Sequence, residues 1–485
     1  MQILLINPPD ELDAILGIGK EFIQKYEPLG LLYIAAVVRE SGYNVSVIDA
    51  YAENIGIEVL KKRILAIRPN VIGITTLTCQ GSVVFSLGQW IKKNLPNTLL
   101  VLGNIHASVF ANQYLKNHCC DLVIHGEGEY IFLKILKFYE KQCGLNDIAG
   151  ISFINQNGEL VRTIGNNYVE DLSKLPFPVR DILKQKLYNL TEISNQIYVG
   201  GNNRIAKSMI TSRGCPYRCA FCAVHHNQPP RYNDALKVVD EMEMLEKKYK
   251  ASYVFIMDSL FMSNSVRLLK ICLEIKKRNL KIKWGCLGHV NYLKADLIYA
   301  MDSAGCYDLS LGIESGSQKL LDKVKKNIKL SQVRKSIEML KKISKILVEG
   351  LFILGLPGET YQESLQTIRF AKSLPLDMAQ FSIFTPYPGS PLFEELVRNG
   401  EIDTGIRDNG TVEAAVWKRY SAYICFTKIK PIWVTPALSA EQLRQLQKKA
   451  LREFYFRPTQ IVRHFKRITF RNCLKSLKII KQGLF

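Results

Sequence analysis

Apolar runs and amphipathic stretches alternate along the first 150 residues. The short apolar runs predict buried strands at Ile3–Ile6, Val45–Ile48, Val71–Thr75, Leu99–Leu102 and Leu122–Ile124. Apolar positions at helical spacing predict helices between them, such as Leu29–Ser41, Ser82–Lys93 and Tyr130–Lys141. Because strands that alternate with helices favour a parallel sheet covered on both faces, residues 1–150 are predicted to form a doubly wound α/β domain.

A second series of strand and helix patterns begins near Ser208. Its predicted strands are Ser208–Thr211, Tyr253–Met257, Lys283–Cys286, Asp308–Leu311, Lys345–Leu354 and Gln380–Thr385. Amphipathic helices, for example Ala235–Lys248 and Ser331–Lys342, separate them. The series predicts a partial (β/α)6 barrel of the TIM type over residues 205–410, with its site at the carboxyl ends of the strands. Residues 151–204 are expected to form a connector, and residues 411–485 a helical C-terminal region.

Basic residues are concentrated at the C-terminal end. The chain has 65 Lys and Arg against 44 Asp and Glu, and 12 of the basic residues but 2 of the acidic ones follow position 440. A basic tail indicates an anionic surface or an acidic partner, whereas a uniformly basic chain would indicate nucleic acid. Between Ile461 and Ile480, apolar residues recur at near-helical spacing among basic ones, as in a helix that lies on a membrane or packs on the barrel.

No apolar run has the length of a membrane span, and no signal-peptide pattern precedes the first strand. We therefore expect a cytoplasmic enzyme, with peripheral membrane contact through the tail as a further hypothesis.

Among 12 cysteines, only Cys215, Cys219 and Cys222 are spaced like ligands. Three thiolates within eight residues can hold one [4Fe–4S] cluster and leave one of its four irons open for a substrate. A zinc site is the alternative, with His225 or His226 as the fourth ligand.

The Cys-x-x-x-Cys-x-x-Cys loop, with Phe221 before its third cysteine, resembles that of the radical S-adenosylmethionine superfamily. The resemblance extends to about residue 410 through Gly312–Gly316, Gly350–Glu359 and Phe384–Ser390. It implies that the three cysteines hold a catalytic cluster whose open iron binds S-adenosylmethionine, which one electron cleaves to a 5′-deoxyadenosyl radical.

The same resemblance implies a set of cofactor-binding residues in the second domain. Glycines let the backbone approach a flat ligand, and a carboxylate accepts hydrogen bonds from hydroxyl or ammonium groups. For Asp258, a role as a strand-end cap is the alternative. The implied contacts are Phe221, Asp258, Gly312, Glu314, Ser315, Gly355 and Pro357.

The first domain resembles the Rossmann-like cobalamin-binding domain that is joined to many such enzymes. The similar segments are Pro28–Gly30, Thr75–Thr78, Gly103–His106 and Asp121–Glu129, and they imply cobalamin contacts at Thr76, Gly103, His106 and Gly126. The Asp-x-His-x-x-Gly segment of some cobalamin proteins is absent, and the usual Gly-Gly is Gly103-Asn104. We therefore predict neither His106 nor His125 as a cobalt ligand, and a purely structural domain is the alternative.

Together these resemblances imply a cobalamin-dependent enzyme that methylates an unactivated carbon or phosphorus centre of a small-molecule or lipid-like substrate. A reductant such as flavodoxin or ferredoxin would be a partner. Rearrangement or oxidative cyclisation is the alternative reaction. An RNA methylthiotransferase, which needs three more clustered cysteines in the first domain, and a non-catalytic corrinoid sensor are the more distant alternatives.

Overall fold

The computed structural model describes residues 1–9, 24–188, 205–224 and 228–465. The chain divides into two compact units. Among the described residues, unit 1 comprises 1–9, 27–187 and 387–420, and unit 2 comprises 24–26, 188, 205–224, 228–386 and 421–465. Among the same residues, no helix combines the length and the apolar character that a bilayer span requires.

A seven-stranded sheet forms the centre of unit 1, in the order β2-β1-β3-β4-β5-β6-β7. The strands are β1 (Gln2–Asn7), β2 (Asn44–Asp49), β3 (Val71–Thr75), β4 (Leu99–Gly103), β5 (Leu122–Ile124), β6 (Ile151–Ile154) and β7 (Leu160–Arg162). The first five in this order are parallel, which confirms the predicted doubly wound α/β fold.

Part of the predicted connector belongs to this sheet. Strand β6 pairs antiparallel with β5, with Ile151 opposite Ile124, and β7 pairs antiparallel with β6. Ile151 and Phe153 are buried in the core of unit 1. The connector prediction is therefore corrected for residues 151–162, because pairing on β5 buries their apolar side chains.

Helices cover the sheet of unit 1. They are α1 (Leu29–Glu40), α2 (Ala50–Glu53), α3 (Ile57–Ile67), α4 (Gly81–Asn94), α5 (Ile105–Val109), α6 (Ala111–Lys116) and α7 (Gly128–Tyr139). The predicted helices near residues 29, 82 and 130 correspond to α1, α4 and α7.

Residues 387–420 also belong to unit 1, although we predicted that the barrel domain continues to residue 410. Trp417 lies in a 3₁₀ helix, Ala414–Arg419, and is almost fully buried. Its ring centroid is 5.1 Å from that of Phe110 and 5.9 Å from that of Phe85. Burial of this aromatic side chain joins the segment to unit 1, and the predicted boundary is corrected accordingly.

A six-stranded parallel sheet forms unit 2, in the order β15-β14-β13-β12-β11-β8. These strands are β8 (Ala206–Met209), β11 (Tyr253–Ile256), β12 (Lys283–Gly288), β13 (Cys306–Glu314), β14 (Leu347–Leu354) and β15 (Met378–Ile383). Because each strand pairs with the next in chain order, the sheet confirms the predicted partial barrel.

The helices of unit 2 lie between its strands and after the last one. They are α8 (Ala235–Lys247), α9 (Ser265–Lys277), α10 (Ala295–Ser303), α11 (Gln318–Lys323), α12 (Leu330–Ile343), α13 (Tyr361–Ser373), α15 (Ala440–Tyr455) and α16 (Pro458–Phe465), while α14 (Pro391–Arg398) lies in unit 1. Thr360 caps the N-terminus of α13 and Ser439 that of α15, each with a reciprocal capping box.

Side chains of β13 alternate between two environments. Leu309, Leu311 and Ile313 are buried in the core beneath the helices. Asp308, Ser310 and Gly312 alternate with them and lie on the opposite face. The polar inner face and the carboxyl ends of the strands are thus the positions where unit 2 can present chemistry.

Candidate functional site

A short antiparallel pair closes the base of the loop that carries the three cysteines. Strand β9 (Ser212–Arg213) pairs with β10 (Arg231–Tyr232), with Arg213 opposite Arg231. Gly214 has a φ of +85°, and a Cβ there would lie 3.0 Å from the carbonyl oxygen of Pro229. Glycine is therefore needed where the loop leaves β9. The zinc alternative, through His225 or His226, falls outside the described residues.

The fold brings the three cysteines together. Cys219 is buried, whereas Cys215 and Cys222 are half-buried. Burial raises the pKa of Cys219 to about 11, the charge of Lys326 opposes this, and the other two thiols raise it further. No group of three described His, Cys, Asp or Glu side chains is arranged around a single metal ion. An iron–sulfur cluster holds its thiolates further apart, because each thiolate binds a different iron.

Asp258 holds the beginning of this loop. Its carboxylate accepts hydrogen bonds from the backbone N–H of Thr211 at 2.6 Å and from the hydroxyls of Thr211 and Ser212, both at 2.6 Å. Burial raises the pKa of Asp258, while these donors oppose the shift. Arg267 also donates to the Thr211 carbonyl, at 2.8 Å. These bonds favour the alternative role of Asp258, a strand-end residue that positions the cysteine loop.

The carboxyl end of β13 holds Glu314 beside a buried lysine. Lys326 Nζ lies 2.7 Å from Glu314 Oε1. Glu314 has a φ of +65°, an uncommon conformation for a residue with a side chain. A Cβ on Gly312 would lie 2.5 Å from Glu314 Oε1 and 2.7 Å from Lys326 Nζ, so the glycine makes room for this ion pair. Phe221 lies next to it, with its ring centroid 5.9 Å from Lys326 Nζ.

Ser315 is directed into the protein. It is fully buried, and its hydroxyl lies 3.2 Å from that of Thr367 on α13 and accepts the N–H of Ser317 at 3.1 Å. A Cβ on Gly316 would lie 2.8 Å from the Thr367 Cα, which fits close packing of this turn on α13. The hydrogen bonds of Ser315 thus support a structural role and leave its predicted cofactor contact as a prediction.

The turn after β14 is held by a buried carboxyl group. Gly355 has a φ of +81°, and Pro357 is half-buried in the same turn. Glu359 accepts hydrogen bonds from the N–H of Leu356 and the hydroxyl of Ser364, at 2.8 and 2.7 Å. Burial raises the pKa of Glu359 to about 7. Glu359 therefore shapes the turn that presents Gly355 and Pro357.

In unit 1, two predicted residues, Thr76 and Gly103, lie at the carboxyl ends of β3 and β4. Thr76 is fully buried, and its hydroxyl has no hydrogen-bond partner. A Cβ on Gly103 would meet nothing within 4 Å, so open space lies beside this glycine. Asn104 has a φ of +78° and donates to the Thr75 hydroxyl at 3.1 Å. With a ψ of 173°, Asn104 lies in a backbone region that is almost confined to glycine, so a second glycine would adopt this conformation without the strain that asparagine bears here.

His106 lies inside an aromatic box. It is fully buried, its ring centroid is 4.5 Å from that of Trp417 and 4.7 Å from that of Phe110, and neither ring nitrogen has a hydrogen-bond partner. A Cβ on Gly81 would lie 2.4 Å from His106 Nε2. Burial lowers the pKa of His106 to about 3, so the ring is neutral. This enclosure makes His106 a packing residue behind the strand ends.

Gly126 is enclosed by the chain itself. Its φ is +91°, and a Cβ there would lie 2.3 Å from the carbonyl oxygen of Asn167. Glu127 accepts the N–H of Val169 at 2.7 Å. His125 lies between the hydroxyls of Ser108 and Ser152, at 2.6 and 2.8 Å. These contacts support structural roles for Gly126 and His125 and leave the predicted cobalamin contact of Gly126 as a prediction.

The residues present fit the cofactors that the fold family implies. In unit 2, three converging thiols form the donor set that an iron–sulfur cluster requires, and Glu314 Oε2 has no described partner. In unit 1, the unpartnered Thr76 hydroxyl and the open space at Gly103 lie at adjacent strand ends, where open α/β sheets bind ligands.

Sequence reasoning missed Lys326. A lysine within the run Lys323–Lys329 has the pattern of a solvated surface, and only its burial beside Glu314 distinguishes it. The position of Glu314 could have suggested a cationic partner, because a buried carboxylate is normally paired.

Comparison with protein families supports this description of both units. The model described as the radical SAM superfamily matches residues 209–371, and the model described as the B12 binding domain matches residues 15–136.

Several curated proteins are similar over most of the chain. An uncharacterized methyltransferase from Pyrococcus horikoshii is 30% identical over 466 residues, which cover 96% of this chain and 94% of that protein. The anaerobic magnesium-protoporphyrin IX monomethyl ester cyclase of Rubrivivax gelatinosus is 29% identical over 82% of this chain and 70% of its own length. The cytidylyl-2-hydroxyethylphosphonate methyltransferase of Streptomyces wedmorensis is 25% identical over 83% of both chains.

A solved structure shares the fold. TsrM from Kitasatospora setae, a radical S-adenosylmethionine methyltransferase solved with cobalamin and a [4Fe–4S] cluster, superposes with a TM-score of 0.68 and 16% identity over 94% of this chain and 89% of that one. At this identity the similarity concerns the fold alone.

Proposed function

Because the chain belongs to the radical S-adenosylmethionine enzymes that carry a B12-binding domain, we propose that it transfers a methyl group to an unactivated carbon or phosphorus centre. The main support is the occurrence, in one chain, of the cysteine loop in unit 2 and, at the strand ends of unit 1, the unpartnered Thr76 hydroxyl beside the open space at Gly103. Similarity to a methyltransferase over nearly the whole length of both chains agrees with this proposal.

Each group of residues has a part in this activity. Cys215, Cys219 and Cys222 would hold the cluster, and Asp258 fixes the start of their loop. Glu314 would accept a hydrogen bond from S-adenosylmethionine through Oε2, since Oε1 is already bonded to Lys326. When bound, the cluster supplies the electron that cleaves S-adenosylmethionine, and cobalamin carries the methyl group.

In unit 1, we propose that the Thr76 hydroxyl and the backbone at Gly103 contact cobalamin. A buried hydroxyl without a partner is costly, and a polar group of the cofactor would remove that cost. His106 has no direct part in this contact, because the aromatic box encloses it.

The test is anaerobic reconstitution with iron and sulfide, followed by hydroxocobalamin, S-adenosylmethionine and a reductant. Methyl transfer predicts both S-adenosylhomocysteine and 5′-deoxyadenosine among the products. The formation of 5′-deoxyadenosine alone would favour the cyclisation that the magnesium-protoporphyrin relative catalyses, and the formation of neither would refute both reactions.

A matched pair of variants connects this test to the cysteine loop. Replacement of Cys222 by Ala should remove the cluster absorbance and both products. The same replacement of Cys143, a half-buried cysteine outside the loop, should leave them unchanged. A cluster retained in the Cys222→Ala protein would contradict the assignment of this ligand.

The partners follow from the same chemistry. The enzyme acts on a small molecule or lipid-like substrate and takes electrons from a reductant such as flavodoxin or ferredoxin. We also propose that the basic C-terminal tail contacts anionic membranes, because 12 basic and 2 acidic residues follow position 440. Helix α15 buries Leu443, Leu446 and Phe454 in unit 2, and residues 466–485, which carry the rest of the predicted amphipathic pattern, lie outside the described residues.

Removal of residues 466–485 tests the membrane contact. The full chain should sediment with vesicles that contain phosphatidylserine, and the truncated chain should not. Equal sedimentation of the two proteins would refute the contact.

A further inference from the structure

Lys326 is a buried cation that no motif singles out. Its side chain is only 8% exposed and lies beside Phe221 and Glu314, close enough to the three cysteines for its charge to act on each of them. Burial alone would lower the pKa of Lys326, but the charges of Glu314 and the cysteines outweigh burial and raise it. The ion pair of Lys326 Nζ with Glu314 Oε1, at 2.7 Å, is what a buried ammonium group requires.

The backbone fixes Lys326 in this place. The residues on both sides of it, Lys325 and Asn327, have positive φ values of 55° and 57°. Side-chain residues adopt this conformation at a cost, and it persists only where the surrounding structure holds it. The N–H of Lys326 donates to the Leu321 carbonyl at 2.9 Å, which closes the end of α11.

Two hydrogen-bonded connections join this segment to the cysteine loop. Ala220, between the second and third cysteines, donates its N–H to the Val324 carbonyl at 3.0 Å. The amide of Asn291 donates both to the Asn327 carbonyl, at 3.0 Å, and to the hydroxyl of Tyr217 in the loop, at 3.1 Å. Lys326 is thus held relative to the loop independently of its ion pair with Glu314.

The positive charge of Lys326 affects the reduction of a cluster held by the three cysteines. Three thiolates give the cluster a negative charge, reduction makes it more negative, and Glu314 adds a further negative charge nearby. A buried cation favours the more negative state, because charges interact strongly where water is excluded. Reduction potentials of iron–sulfur clusters depend on net charge and on the groups around them.

We propose that Lys326 is a positioning residue that stabilises the reduced [4Fe–4S] cluster and holds Glu314 at the end of β13. This inference rests on the proposed function, since it requires that Cys215, Cys219 and Cys222 hold the cluster.

The test is an EPR-monitored redox titration of the reconstituted protein without S-adenosylmethionine. Lys326→Gln should lower the equilibrium constant for cluster reduction at least tenfold. For one electron, this change makes the reduction potential more negative by about 59 mV. Lys326→Arg, which keeps the charge, should restore the wild-type potential. Glu314→Gln should shift the potential in the opposite direction, because it removes a negative charge.

The matched control is Lys325→Gln, which removes the same charge from an exposed neighbour. It should leave the potential unchanged. The proposal is overturned if fully loaded Lys326→Gln protein has the wild-type potential, or if Lys325→Gln shifts it equally. If Lys326→Gln protein does not load a cluster, the test depends on Lys326→Arg. A potential of Lys326→Arg protein that is lower than the wild-type potential overturns the proposal.

Different measurements on the wild-type protein and its variants contradict the role of Lys326 and the proposed function. A wild-type protein that loads no cluster, or that makes neither S-adenosylhomocysteine nor 5′-deoxyadenosine, contradicts the function. A wild-type protein that is active, with a potential that is indifferent to Lys326, contradicts only the inference.

Discussion

At the scale of single residues, Glu359 is a buried carboxyl group that serves the shape of a turn. It is fully buried and bonded to Leu356 and Ser364. Asp258 and Ser315 act similarly at the ends of other strands, where their hydrogen bonds join neighbouring segments. Some side chains at these strand ends therefore hold the backbone of the site in place. Others have an atom that remains available to a ligand, as Glu314 has in Oε2.

Glu359 makes the stability of unit 2 depend on pH. Its pKa is raised from 4.5 to about 7, so the folded state retains a proton that the unfolded state loses first. The stability that this proton contributes is present below about pH 4.5 and is lost as the pH rises through about 7. Relative to Glu359→Gln, the free energy of unfolding of the wild type should fall by roughly 3 kcal/mol across this range.

Urea unfolding of both proteins at several pH values measures this difference. Glu338→Gln, at an exposed carboxylate on α12, is the control and should leave the pH profile of the wild type unchanged. Parallel profiles for the wild type and Glu359→Gln would contradict the prediction.

At the scale of elements, the last strand of the barrel has an edge that α15 covers. Gln447 donates to the Phe381 carbonyl at 2.7 Å, and the Tyr455 hydroxyl both accepts the N–H of Ala379 and donates to its carbonyl, at 3.2 and 2.9 Å. Side chains of a helix thus satisfy backbone groups that a further strand would otherwise bond. Covering an edge in this way prevents pairing with another chain.

Tyr455→Phe should destabilise unit 2 by about 1–3 kcal/mol, because it leaves both backbone groups of Ala379 without their partner. Tyr299→Phe, at a tyrosine that is 56% exposed, is the matched control and should change stability by less than about 0.5 kcal/mol. Thermal denaturation of the three proteins measures the difference. Equal melting temperatures for the two variants would contradict the role of Tyr455.

The periodic pattern predicted most elements but missed the β6–β7 hairpin. A long run such as Val71–Thr75 is buried on both faces and has a strong signal, whereas β7 has three residues, of which two are exposed. Such short strands form only where a neighbouring strand has an edge with which they can pair, and here β5 provides that edge for β6. A local pattern of residues does not show whether such an edge is present.

At the scale of the whole molecule, unit 1 is completed by residues far away in the chain. Trp417 packs against His106, Phe110 and Phe85, and its indole N–H donates to the Thr404 carbonyl at 2.9 Å. A fragment that ends near residue 188 would therefore lack one wall of the aromatic box.

Trp417→Ala should destabilise unit 1 by about 3–5 kcal/mol and weaken cobalamin binding, while the cluster in unit 2 still loads. Trp90→Ala, at a half-buried tryptophan of the same unit, should have a smaller effect. Retained corrin absorbance after gel filtration and iron content measure the two units separately. A Trp417→Ala protein that binds cobalamin as well as Trp90→Ala would contradict this role.

The sequence by itself determined the two βα series, the cysteine spacing and the order of the glycine segments, because each of these is a local pattern of residue types. The tertiary structure decided how the predicted residues are buried and bonded. It enclosed His106 and Gly126, directed Ser315 and Asp258 into the protein, and placed Lys326 beside the cysteines. These outcomes depend on contacts between segments distant in the chain, and burial and pairing over such distances are set only when the chain is folded.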